Sequence, residues 1–201
     1  MKKIAIITFL LAVCVSAGSA QESRQDVSIS GTALVEPFMA SSTDVYVSAN
    51  RAFGALASYR FMVTPSSALE ANYGVTYQNT IHYRVNPNNY NVLTRTQEIS
   101  AAYIRSFNYR KYNPFIEAGP AAFVFLPIRN SGTTSMDVKQ QFDIGFIYGA
   151  GIAREISPSF DIRAEYRGMV TKVPTFDDSQ FNTNSKWYNI YNPVIGVAYH
   201  F

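Results

Sequence analysis

Residues 191–201 alternate without a break. Tyr191, Pro193, Ile195, Val197, Tyr199 and Phe201 share one parity, and Asn192, Val194, Gly196, Ala198 and His200 share the other. A period of two places successive side chains on opposite faces of a strand. Such a strand carries N–H and C=O groups along both edges, and an edge left open recruits other chains. Because the sequence stops at Phe201, this strand is expected to close against a partner, which favours a closed sheet for the whole chain.

The same alternation recurs along the sequence. It is clearest over residues 69–83, where Leu69, Ala71, Tyr73, Val75, Tyr77, Ile81 and Tyr83 oppose Glu70, Asn72, Gly74, Thr76, Gln78, Thr80 and His82, with Asn79 alone interrupting the apolar row. Comparable segments lie at 26–37, 51–63, 94–107, 114–128, 138–156, 160–173 and 186–201. Each reaches the roughly 9 to 11 residues that cross a bilayer as a tilted strand. The connections alternate as well: 64–67, 108–113 and 157–159 are short and turn-like, whereas 39–50, 85–93, 129–137 and 174–185 are longer and polar. Short turns at one rim and long loops at the other predict an all-β fold, an eight-stranded antiparallel up-and-down transmembrane β-barrel with its short turns in the periplasm.

The amino terminus points to export. Lys2 and Lys3 precede an uncharged apolar run over residues 4–15, and Ala17, Gly18, Ser19 and Ala20 supply small residues before Gln21. This layout predicts a signal peptide over 1–20, cleaved after Ala20, and a barrel over 21–201. The run is too short for the roughly 20 residues of a spanning helix. Leu11-Ala12-Val13-Cys14 fits a lipidation box poorly, because Val13 is larger than the residue expected before the cysteine. Cleavage would remove the only cysteine, so the mature chain is expected to hold neither a disulfide nor a thiolate metal site. It would also remove two of the 17 basic residues and none of the 14 acids, leaving 15 against 14 and no basic field for nucleic acid.

A secreted soluble barrel would alternate too, with its apolar face inward around a greasy ligand. The polar face decides against it: it mixes Gly54, Gly74, Gly119, Gly145, Gly149, Gly151 and Gly196 with charges. A narrow interior needs small residues beside large ones, whereas a solvated exterior gains nothing from losing side chains. The polar face is therefore expected inside, holding an ion-pair network of Glu36, Arg60, Glu70, Glu98, Glu117, Asp143, Glu155, Asp161, Arg163, Glu165 and Arg167. The outward set is apolar, with rim aromatics such as Tyr59, Phe61 and Phe160. Arg105 and Arg154 fall on the outward parity near periplasmic ends, where a long side chain can snorkel.

Few residues invite catalysis or metal binding. His82 and His200 are the only histidines, and strand geometry sets them at opposite rims, tens of ångströms apart at roughly 3.3 Å per residue. His82 is expected as a polar lumen residue. Asp177 and Asp178 lack the spaced ligands of a calcium loop. An ion path would need water-filled gaps for which eight strands leave little room.

The segments Pro114-Phe115-Ile116-Glu117-Ala118-Gly119-Pro120, Asp161-Ile162-Arg163-Ala164-Glu165-Tyr166-Arg167-Gly168 and Val197-Ala198-Tyr199-His200-Phe201, together with the leader and the loop alternation, resemble the small bacterial outer-membrane β-barrel proteins. These are related in architecture to the OmpA membrane domain and the opacity proteins. The resemblance covers the mature chain and implies a monomer in the outer membrane of a Gram-negative bacterium, among outer-membrane lipids and lipopolysaccharide. It further implies assembly by the barrel-assembly machinery, which would read Tyr199 and Phe201 as a C-terminal signal. No cofactor is implied, and since the sequence ends with the barrel, neither is wall anchoring. The expected role is structural or surface-interacting, through the long loops and an unidentified ligand, without catalysis. A narrow porin-like channel is the first alternative and a lipid-modifying enzyme the second.

Overall fold

Eight strands close on one another in the computed structural model, which describes residues 25–37, 39–40, 45–85, 88–107, 112–128, 139–176 and 187–201. The expected leader, the whole of the expected loop at 129–137, and Asp177 and Asp178 lie outside the described residues. The strands are β1 (Gln25–Leu34), β2 (Met39–Ala40), β3 (Val45–Ala49), β4 (Ala52–Thr64), β5 (Ser67–Val85), β6 (Asn88–Ser106), β7 (Tyr112–Pro127), β8 (Gln141–Ser157), β9 (Phe160–Lys172) and β10 (Trp187–His200). From β4 onward each strand pairs antiparallel with its sequence neighbour. The ring closes where β1 lies between β10 and β4. Short β2 and β3 extend the wall above β4, β3 pairing with the upper half of β5.

The β1–β10 seam shows how sequence sets closure. Its register runs from Asp26↔His200 to Thr32↔Val194, and Gly196 stands opposite Ser30. A Cβ at position 196 would come within 2.0 Å of the Ser30 hydroxyl and 2.5 Å of the Ile29 carbonyl, so only glycine fits without a shift. Beyond the last pair, Phe201 N–H donates to the Gln25 carbonyl at 3.1 Å.

The two faces separate as a membrane barrel requires. Ile29 and Phe53 are 76% and 75% exposed, while Asp26 and Arg167 are fully buried. That inversion of the soluble-protein rule puts hydrocarbon outside. Tyr59, Phe61 and Phe160 are exposed near the periplasmic turns, and Phe160, Tyr199 and Phe201 follow one another at centroid separations of 5.1 and 6.2 Å. Arg105 and Arg154 do point outward, and Arg154 lies 5.5 Å over the Tyr112 ring.

Three expectations need correction. The stretch 85–93 is not a long loop: β5 runs to Val85 and β6 begins at Asn88, so the pair forms a hairpin standing above the membrane. Similarly, 39–50 contains β2 and β3. Nor is the interior polar throughout. Its extracellular half is an apolar core that includes Leu34, Ile81, Phe123, Phe125, Ile147 and Ile190. A smaller apolar cluster of Ala68, Ile104, Phe115 and Ala153 lies at the periplasmic end. Charges occupy the level between.

The third correction concerns β5. The β5–β6 register shifts between Thr76 and Asn79. Below the bulge the even-numbered residues Glu70, Asn72 and Thr76 are buried; above it Asn79, Ile81 and Tyr83 are. An extra residue in one strand reverses the parity of everything beyond it. His82 therefore points out of the barrel rather than into its lumen. The physical reason is a change of solvent: lipid outside asks for outward apolar residues, and water above the rim asks for the reverse.

Candidate functional site

Arg167, Arg163 and Arg60 organise the charged belt. Arg167, on β9, is reached from β6 and β7: its Nη2 donates to Glu98 Oε1 at 2.9 Å and its Nε to Glu117 Oε1 at 3.0 Å. Glu165 Oε1 lies 4.0 Å from the same Nε. Ser100 Oγ donates to Glu98 Oε1 at 2.7 Å, giving that oxygen a second donor. Arg60 Nε donates to Glu70 Oε2 at 2.7 Å, a cross-strand pair fixed by the Arg60↔Glu70 register. Arg163 Nη2 donates to Asp26 Oδ2 at 2.6 Å, and its Nη1 is 3.9 Å from Glu70 Oε2. The Arg60 guanidinium also lies 5.0 Å over the Phe115 ring, joining the belt to the periplasmic cluster. Alternate-residue spacing on β9 makes this possible, because it puts Asp161, Arg163, Glu165 and Arg167 in one inward row.

The structure places eight of the eleven expected network residues within this belt or at its lower edge. The lower edge is Asp161, whose Oδ2 is 2.9 Å from His200 Nε2. Three others are elsewhere. Glu155 keeps the inward register, opposite Asp161, but stands at the periplasmic end of β8, where it is exposed. Asp143 lies in the outer half of β8, where Gln141 Nε2 donates to its Oδ2 at 2.6 Å. Glu36, past the end of β1, is half-buried above the belt and accepts a hydrogen bond from Asn79 Nδ2 at 2.5 Å. Burial outweighs that bond and pushes the Glu36 carboxyl up to about 7. Sequence reasoning missed Asp26 and His200. Parity contained the signal for both: Asp26 shares the polar row of Ser28, Ser30 and Thr32 on β1, and His200 that of Gly196 and Ala198 on β10.

The belt is closely packed among the described residues. Between it and the apolar core, Thr32, Leu56, Thr96, Glu98, Met169 and Asn192 border a cavity of about 10 Å³, room for one water at most. At the extracellular mouth, Val173 and Phe176 are buried in the apolar core, and Tyr83 Oη donates to the Pro174 carbonyl at 2.7 Å. Phe176 adopts φ 51°, a left-handed conformation that a large side chain rarely takes. Gln141 Oε1 secures it by accepting from the Thr175 and Phe176 N–H groups at 2.7 and 2.6 Å.

A second feature lies outside the wall, above the membrane. The parity reversal in β5 turns His82 and Arg84 outward, and the registers Ser48↔His82↔Asn91 and Tyr46↔Arg84↔Asn89 lay two rows across β3, β5 and β6. Together with Tyr83, these six residues line a cleft of about 430 Å³. His82 Nδ1 is 2.7 Å from Asn91 Oδ1, and Arg84 Nε donates to Asn89 Oδ1 at 3.3 Å. The two rows thus offer one aromatic ring, one cation, two amides, a hydroxyl and an imidazole. Among the described residues no group of three His, Cys, Asp or Glu could hold a metal ion.

A ring of eight antiparallel strands with an apolar outside, aromatic rims and a charged, filled inside defines an outer-membrane β-barrel. The profile of the family "Outer membrane protein beta-barrel domain" matches residues 5–201, and the chain belongs to that family in the bacterial outer membrane. No curated protein matches it. Among solved structures, the chain is similar to the outer membrane protein OprG from Pseudomonas aeruginosa, with TM-score 0.63 and 9% identity over 90% of this chain and 98% of that one. Neisserial surface protein A gives TM-score 0.59 and 14% identity over 89% and 98%. The N-terminal β-barrel domain of Pseudomonas aeruginosa OprF gives 0.51 and 17% over 90% and 100%. At these identities the likeness is one of fold.

Proposed function

We propose that this protein is a sealed, non-catalytic barrel that displays a polar binding face to the outside of the cell. The observation that carries the reading is the pair of rows across β3, β5 and β6, Ser48–His82–Asn91 and Tyr46–Arg84–Asn89. They stand on paired strands rather than on a loop, which pre-organises them. An aromatic plane beside amide, hydroxyl and guanidinium donors suits a ligand rich in hydroxyl and acidic groups, such as an acidic polysaccharide. In this reading the chain is exported by residues 1–20, assembled by the barrel machinery through Tyr199 and Phe201, and held among outer-membrane lipids and lipopolysaccharide as a monomer. The tight packing around the charged belt favours display over the narrow-channel alternative.

The test is an array of acidic and neutral polysaccharides probed with the refolded protein. Binding to acidic members, weakened by Arg84→Ala and Tyr46→Ala, is expected. Signals unchanged in both variants would remove the cleft from the function.

A further inference from the structure

The membrane-facing wall carries a groove on its periplasmic half. Its floor is built of the small outward residues Ala71 on β5, Ala101 on β6, and Ala118 and Pro120 on β7, between walls formed by Phe61, Leu69 and Tyr103. The volume is about 490 Å³ and the lining is almost wholly apolar. The outward row of β8 reads Phe142, Ile144, Phe146, Tyr148, and presents side chains where these strands present alanine. Two features fix the floor. Pro120 has no N–H to give the ladder, and the β6–β7 ladder skips two residue pairs, in unchanged register, between Ser100↔Ala121 and Tyr103↔Ala118. Gly119 lets β7 approach so closely that a Cβ there would come 1.9 Å from the Ala101 carbonyl oxygen.

A cation stands at the groove's lower end. Arg105 shares the outward row of Ala101 and Tyr103 on β6, in register with Ser67 and Ile116. It is exposed, and its Nη1 donates to Ser67 Oγ at 2.9 Å; the Tyr103 hydroxyl donates to that same oxygen at 2.9 Å. The guanidinium is thus held at the periplasmic rim, one outward position along β6 from Tyr103 of the groove wall. Among the described residues, Arg154 is a second outward arginine at this rim, and it lies 5.5 Å over the Tyr112 ring.

We infer that this groove is a binding site for one glycerophospholipid of the periplasmic leaflet, with an acyl chain over Ala71, Ala101, Ala118 and Pro120 and the phosphate on Arg105. The pairing is one of charge and depth: an anion tethered to a hydrocarbon chain matches a cation placed at the mouth of a hydrocarbon slot. Membrane binding of this kind is independent of the extracellular cleft, so either can fail alone.

The experiment is native mass spectrometry of the refolded barrel titrated with phosphatidylglycerol, and with diacylglycerol of the same chains. Folding of every variant is verified by heat-dependent gel migration. Wild type is expected to retain one phosphatidylglycerol in preference to diacylglycerol. Arg105→Gln should cut that retention roughly fivefold, the weight of one basic residue against an anionic headgroup. Ala101→Leu, which fills the slot, should reduce retention of both lipids, while Arg154→Gln should behave as wild type. No retained lipid, equal retention of diacylglycerol, equal loss in Arg154→Gln, or association of two barrels in place of lipid would each overturn the assignment.

Discussion

Arg167 shows how much one buried side chain can carry. It is fully buried and serves Glu98 and Glu117 from a single guanidinium, with Glu165 beside it. Arg167→Met would leave those carboxylates without their cation, and removing one partner of a buried pair costs about 3–5 kcal/mol. Urea unfolding in lipid vesicles should register that loss, with Arg167→Lys losing less because it keeps the charge but not the fork; a Met variant as stable as wild type would contradict the pairing. Glu36 makes the opposite prediction. Its carboxyl ordinarily titrates near 4.5 and is pushed up to about 7 here, so between those values the folded chain keeps a proton that the unfolded chain has released. The associated stability is complete below about 4.5 and is lost as pH rises through 7. After allowance for partial exposure this amounts to roughly 1–2 kcal/mol. Glu36→Gln should flatten that slope and be the more stable protein at pH 8; an unchanged slope would assign it elsewhere.

At the scale of strands, the sequence was most legible where one solvent holds along the whole element. β1 and β10 sit against lipid from end to end, and their alternation reads directly into inside and outside. β5 does not, since it leaves the bilayer part-way. Its row of Leu69, Tyr73, Tyr77, Ile81 and Tyr83 is broken in sequence only at Asn79, yet the bulge before Asn79 sends the last two inward to a core shared with Val92 and Phe176. The single break at Asn79 marked the reversal, and sequence alone could not distinguish it from a polar blemish. Glu155 was misplaced for a different reason: its parity is inward, opposite Asp161, but it stands at the open periplasmic end of β8, where it is exposed. The belt's centre on β9 was legible because four charges at alternate positions in a barrel wall must face the lumen. The cleft was not, because its rows belong to three strands, one of them hidden in a stretch that reads as loop. β10 also carries an element-scale prediction. Tyr199 and Phe201 stack at its end, and one rim aromatic contributes little packing. Phe201→Asp should therefore lower outer-membrane levels several-fold while leaving the refolded barrel nearly as stable, about 1 kcal/mol or less from wild type. Normal outer-membrane levels would exclude Phe201 from the assembly signal.

Taken as a whole molecule, the barrel is filled in three layers: a small periplasmic apolar cluster, a belt of arginines and carboxylates, and an extracellular apolar core into which Phe176 is folded. Eight strands enclose an interior that side chains can just fill, and the layers use that limit, the arginines bridging strands that lie across the lumen from one another. In the proposed reading, β3, β5 and β6 stand above this filled barrel with the polar cleft facing outward. This account stands on the interior being closed to ions, so single-channel recording in planar bilayers is its most direct test. Refolded protein that shows the heat-dependent gel shift of a closed barrel should give no stepwise current at any holding potential; reproducible unitary steps from that same preparation would contradict the sealed interior and make the protein a channel.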